Sequence, residues 1–306
     1  MPPVEPVFLN IYSASIFHQL MLPPATGRVS GARHVLVTPN SAESELDQVK
    51  PHRAHKYFVV IDPFALPKGR LEQIPQPQIW WFIAPLQNET TSDQIRGAAI
   101  GKFSNKWLKD YIKPLSYRGL TPKPRLIVSD VSSLETAARL GFQAVVSPPA
   151  ISDHLFSEPQ RGKLAGKFLI EPDSNTYQEI FLKQLDLPER DIVLLRDTAD
   201  FQKPTPSTFR FGLSLGRSLV REFPILAAAH LASGNALISE PLYPLHGLEP
   251  GIDYFEISSP NELFHLTRYL ARNPHASTMT TYRGRRKADY FRASRVWGEI
   301  LSELEL

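Results

Sequence analysis

One unit occurs twice in this chain, and it constrains the fold more than any other feature: a helix closed by glycine and followed at once by an apolar strand. In the first copy an apolar strand at 124–129 leads into a helical stripe of Leu134, Ala137, Ala138 and Leu140. The stripe stops at Gly141, and "FQAVVS" at 142–147 reads as the next strand. Ser132 and Glu135 have the S-x-x-E spacing of a capping box, which predicts the helix start there. In the second copy an alanine-rich helix at 223–233 closes at Gly234, and 235–239 is a short apolar strand. The next helix is predicted to begin at Ser259, with Pro260 in its first position and Glu262 three residues after the cap. Further strands are predicted at 34–38, 56–62, 78–83, 166–170 and 191–196. A helix is predicted at 94–115, although Gly97 and Gly101 each weaken it by roughly 1 kcal/mol relative to alanine. Strands alternating with helices require parallel sheets, so the fold class is α/β with two Rossmann-like halves.

A chain of 306 residues with 42% hydrophobic content suits two domains better than one. Pro148, Pro149 and the polar run 152–162 mark the expected linker, giving an amino-terminal domain over 1–155 and a second domain from 156. No stretch approaches the roughly 20 apolar residues of a membrane span. The start, "MPPVEPVFLN", lacks the basic and apolar regions of a signal peptide, so the expected location is cytoplasmic. The absence of cysteine excludes disulfides, thiolate metal sites and cysteine nucleophiles. A net charge of +3 does not by itself call for nucleic acid. Arg283, Arg285, Arg286, Lys287, Arg292 and Arg295 do crowd one segment. They fit either a solvated helix face or a patch for phosphates or an anionic membrane surface at the inner face of the membrane.

After the strand at 235–239 the chain runs through Glu240, His246, Gly247, Glu249, Pro250 and Gly251, too polar and too broken for core. In an open α/β sheet ligands sit beyond the carboxyl ends of the strands, which is where this loop falls.

The segments "HLASGNALISEPLYPLHGLEPGIDYFEISSPNELFHLTRYLARNP" and "RGRRKADYFRASRVW" resemble the carboxyl-terminal half of two-domain (GT-B) glycosyltransferases, nearest to the CgeB-like branch. The likeness covers about 223–300. It implies two Rossmann-like domains facing a cleft, the second (156–282) holding a nucleotide-sugar donor. The closing segment 283–306 would cross back onto the first domain, with Trp297, Ile300, Leu301 and Leu304 on its buried face and Phe291 two turns earlier.

Glycosyl transfer needs the leaving diphosphate neutralised as the anomeric bond breaks. GT-A enzymes do this with a metal held by Asp-x-Asp, a motif this chain lacks. GT-B enzymes use Arg or Lys, main-chain N–H groups and a helix start, so no metal or other cofactor is expected beyond the donor as co-substrate. Gly216, Arg217 and Arg221 in "SLGRSLVREFP" supply such groups, although surface arginines near a helix start would look the same. The resemblance implies that Glu249 matches the family's loop glutamate and that the backbone of Ser239 and Glu240 lies near the donor. Retaining members of the fold carry two glutamates at positions occupied here by Arg221 and Ala229, so their ribose contact is absent. An inverting reaction needs a general base in the amino-terminal half, and Asp130 and His18 are the candidates. Asp130 also fits a cap of the next turn, and His18 a packed or solvated histidine. His230, within the alanine-rich helix, reads as structural. His52 and His55 have one helical turn's spacing but no third zinc ligand nearby. Trp80 and Trp81 point to opposite faces of a strand, and burial is the expected fate of both, with stacking on a sugar the other use of one.

No P-loop and no G-x-G-x-x-G after a strand is present. The expected function is therefore hexosyl transfer to a glycan, lipid or small-molecule acceptor. The rivals are a degenerate module that binds a glycan or a protein, and an epimerase or nucleotide sensor on the same plan.

Overall fold

The computed structural model describes residues 7–11, 34–37, 58–61, 74, 77–82, 123–156, 168–170, 182, 192–194, 210–215 and 223–303. The chain divides into two compact units. One comprises Met1–Ala14, Pro24–Pro148 and Trp297–Leu306, the other Ser15–Pro23 and Pro149–Val296.

The first unit holds a parallel sheet of β1 (Val7–Ile11), β2 (His34–Val37), β3 (Phe58–Ile61), β4 (Gln78–Trp81), β5 (Arg125–Val128) and β6 (Ala144–Val146). Their order is β2-β1-β3-β4-β5-β6. Near-continuous apolar runs form these strands because a parallel sheet is covered on both faces. Trp80 and Trp81 are both buried. Trp80 Nε1 donates to Gln78 Oε1 at 2.7 Å, and the Trp81 ring meets Trp297 edge-on with centroids 4.6 Å apart, so neither indole is presented to a sugar.

Helix α1 (Val131–Arg139) follows β5, and its cap decides between the two that the sequence offered. The N-cap is Asp130, not Ser132. Its Oδ1 accepts from the Ser133 N–H at 2.9 Å, and its Oδ2 accepts from Ser133 Oγ at 2.6 Å and Ser129 Oγ at 3.0 Å. An ionised carboxylate held by three donors outcompetes a serine hydroxyl for the same orphan N–H groups. Asp130→Ala should lower stability by about 1–2 kcal/mol in urea denaturation. Asp130→Asn keeps an oxygen for Ser133 and should cost less.

The second unit holds β7 (Phe168–Ile170), β8 (Ile192–Leu194), β9 (Phe211–Ser214), β10 (Ala236–Ser239) and β11 (Phe255–Glu256), all parallel, in the order β11-β10-β9-β7-β8. Phe168 and Phe211 stack at 4.7 Å within a core that includes Leu213, Ile238, Ile257, Leu263 and Leu270. Helix α2 (Ile225–Ala232) is buried on every side, which its alanines permit. Both glycine-closed helices end alike. Gly141 and Gly234 take φ of +76° and +72°. The following residues then donate back, Phe142 N to Ala137 O at 3.0 Å and Asn235 N to His230 O at 2.9 Å. This is the Schellman closure that the repeated unit anticipated.

Helices α3 (Pro260–Arg272), α4 (Thr278–Lys287) and α5 (Ala293–Glu303) complete the described chain. Ser259 caps α3 as predicted, accepting from Glu262 N at 3.2 Å while the Glu262 carboxylate accepts from Ser258 N at 2.6 Å. The closing segment expected from 283 is instead the end of α4, a 3-10 turn at Ala288–Phe291 and α5. Arg292 (φ −59°, ψ 127°) leaves helical geometry and separates them. Phe291 therefore lies in the turn rather than on the closing helix. From Trp297 onward α5 belongs to the first unit, where Trp297 and Ile300 are buried.

Residues 150–156, read as the start of a linker, are pinned instead. Ile151 N donates to Phe291 O at 2.7 Å, Ala293 N donates to Ile151 O at 2.8 Å, and Asp153 Oδ1 accepts from Ser294 N at 3.2 Å. The predicted helix at 94–115 lies outside the described residues, as do His52 and His55. Among the described residues no helix is long and apolar enough to cross a membrane.

Candidate functional site

In the second unit the strand order reverses between β7 and β9, the position at which open α/β sheets bind ligands. The sheet register sets Ser214, Ser239 and Glu256 side by side at the carboxyl ends of β9, β10 and β11. Ser214 and Ser239 are buried, and Ser239 Oγ has no hydrogen-bond partner among the described residues. Glu256 accepts from the buried Tyr254 hydroxyl at 2.8 Å. Burial, followed by the Glu256 carboxylate, pushes the Tyr254 phenol well above its ordinary range, so it stays a donor.

The chain continues from β9 through Leu215 to Gly216, Arg217 and Arg221, which lie outside the described residues, as does His18. Glu240 is half-buried directly after β10. The loop beyond it folds on itself: Leu248 N donates to Leu245 O at 2.9 Å, Asp253 N to Glu249 O at 2.9 Å, and Glu249 N to Asp253 Oδ2 at 2.8 Å. His246 takes a left-handed φ of 48°. Its ring packs against Phe223, Phe291 and Tyr290 at 5.0, 5.6 and 6.0 Å. Burial lowers its pKa to about 4, so the ring is neutral.

Glu249 is exposed, and its Oε1 lies 2.8 Å from Lys287 Nζ. The same ammonium lies 2.6 Å from Asp253 Oδ2 and donates to Gly247 O at 2.7 Å. Asp253 is a residue that reading the sequence missed, because nothing in "PGIDYF" marks its carboxylate as buried. Lys287 was counted only as one cation of a basic segment.

That segment is largely engaged within the second unit. Arg285 and Arg292 lie over the Phe156 ring at 4.9 and 4.2 Å, and Arg285 also donates to the Phe156 carbonyl. Arg292 pairs with Asp289 at 2.8 Å, Arg295 lies 5.3 Å over Tyr290, and Arg286 lies 6.0 Å over Tyr282. The six cations therefore do not form one solvated face of the last helix.

No protein-family model matches the chain, and no curated protein matches it in sequence. Solved structures match it in shape. HepE of Anabaena, solved with UDP and glucose, aligns over 97% of this chain and 99% of its own with a TM-score of 0.61 and 10% identity. Sucrose-phosphate synthase of Thermosynechococcus elongatus aligns over 98% and 99%, with a TM-score of 0.59 and 10% identity. This chain has the GT-B fold. The pneumococcal O-GlcNAc transferase GtfA, solved with UDP and GlcNAc, is similar over 85% of this chain and 59% of its own, with a TM-score of 0.55 and 12% identity. Within this GT-B chain the two parallel sheets belong to the shared plan.

Proposed function

We propose that this chain is a glycosyltransferase that moves a hexose from a UDP-sugar to an acceptor hydroxyl, without a metal. The observation that carries the reading is the alignment with HepE over nearly the whole of both chains, HepE having been solved with UDP and glucose. The Ser239 hydroxyl at the carboxyl edge of β10, buried and without a partner among the described residues, supports it, since such a hydroxyl has a hydrogen bond left to make. Arg217 and Arg221 would neutralise the leaving diphosphate, and Gly216 would let the backbone approach it. The likeness of residues 223–300 to the CgeB-like branch is what favours that group within this reading. A glycan, lipid or small molecule is the acceptor class, and the cytoplasm the compartment, that this reading implies.

The test is thermal stabilisation by UDP, GDP, dTDP, ADP and CMP and their sugar conjugates. A nucleotide at 100 times its Kd should stabilise the fold by about 2.7 kcal/mol. UDP and a UDP-hexose should raise Tm while the others do not, and Arg217→Ala or Arg221→Ala should remove most of the shift. Silence across the panel would instead favour a degenerate GT-B module that binds a glycan or protein. Asp130→Asn separates cap from base: lost transfer with donor affinity intact would place the general base there, and full turnover would reject it.

A further inference from the structure

From Glu240 to Glu256 the chain carries Glu240, Glu249, Asp253 and Glu256 and no lysine or arginine. Asp253 is fully enclosed, its side chain 0% exposed, with no donor to Oδ1 among the described residues. An anionic donor reaching the carboxyl edge of this sheet would meet like charge, and a buried carboxylate without a cation is strongly unfavourable. The compensating cation arrives from α4. Lys287 Nζ reaches three oxygens of the loop, those of Asp253, Glu249 and the Gly247 carbonyl. The approach requires Gly284, one turn earlier on α4. A Cβ there would stand 2.4 Å from the Asp253 carbonyl oxygen and 2.7 Å from Leu231 Cδ2. The hydrogen bond to Asp253, and next that to Glu249, raises the Lys287 pKa above its ordinary range, so the ammonium is charged throughout neutral pH.

We propose that Lys287 is a positioning residue for the donor loop: by bridging Asp253, Glu249 and the Gly247 carbonyl it fixes the loop's shape and cancels the charge that would repel a nucleoside diphosphate. This rests on the donor-site reading above. The geometry is that of a clamp, since the ammonium joins the middle of the loop (Gly247) to its far end (Asp253) from an element outside it.

The experiment uses the full chain and two readouts, amide hydrogen exchange of residues 245–254 and the Kd for UDP at low and high salt. Lys287→Met should speed exchange at Leu248, Gly251 and Asp253 at least tenfold and weaken UDP binding about tenfold at low salt. Lys287→Arg should keep most of both. A K287M/E249Q/D253N variant, which removes cation and carboxylates together, should recover UDP affinity relative to K287M. Unchanged exchange in K287M overturns the clamp. Faster exchange with unchanged UDP affinity overturns the link to the donor. A wild-type chain that binds no UDP overturns the donor-site reading, while the exchange arm still reports on the clamp. If K287M does not fold, E249Q removes one of the three contacts and should speed exchange at the same amides on a smaller scale. E249Q with unchanged exchange overturns the clamp.

Discussion

Replacing Gly212 by alanine should cost about 3 kcal/mol or more, a large share of the stability of an ordinary domain. Gly212 sits within β9, opposite Leu169 of β7 and Leu237 of β10, at the middle of the second unit's sheet. A Cβ there would stand 2.1 Å from Cγ and Nδ1 of His230 and 2.5 Å from its Cδ2. The ring has little freedom to retreat. It is wholly buried on a helix that is buried all round, and Asn235 Nδ2 holds its Nδ1 at 3.0 Å. The measurement is the urea midpoint. G212A should unfold at much lower urea or fail to accumulate, and G212A/H230A should recover part of the loss because the alanine vacates the clash. Wild-type stability in G212A would show that the ring does not lie over the strand.

Acid should weaken the fold through two histidines before most carboxylates titrate. Burial lowers His230 to about 3 and His246 to about 4, from an ordinary value of 6.5. Both are therefore neutral in the folded chain where the unfolded chain binds protons. Their contribution is complete above about pH 6.5 and is lost as pH falls through that value towards 4 and 3. Each pKa unit corresponds to about 1.4 kcal/mol, so the two together are worth several kcal/mol, the larger share from the fully enclosed His230. Urea stability measured from pH 7 to 5 should fall with pH. In His230→Asn the slope should be shallower by about 1.4 kcal/mol per pH unit at the acid end of that range. An unchanged slope would assign the acid sensitivity to other groups.

Local signals carried most of the architecture. Short apolar runs bounded by polar turns gave most of the strands, though β1 and β9 were not read, and glycine after a helical stripe gave both helix ends, because backbone geometry there depends on neighbours in sequence. The sequence offered two caps for α1, and the structure chooses Asp130 for a physical reason. Ser132 and Glu135 satisfy a spacing rule, but Asp130 holds three donors at once, and that competition is decided by burial. The candidate site was legible only where it is local. The loop after β10 could be read from composition and Glu249 from the family resemblance, whereas the joining of Asp253 to Lys287 depends on how α4 docks. The stacking of Arg285 and Arg292 on Phe156 likewise joins residues far apart in sequence, so their charges looked available when read in line.

The edge-on contact of Trp81 with Trp297 bears on synthesis. Trp81 lies in a strand made early, while its partner is translated more than two hundred residues later, after every strand of the second unit. On the ribosome the first unit must wait with a tryptophan face uncovered until the other unit has been made, so nascent chains halted before Trp297 should be the ones that chaperones hold longest.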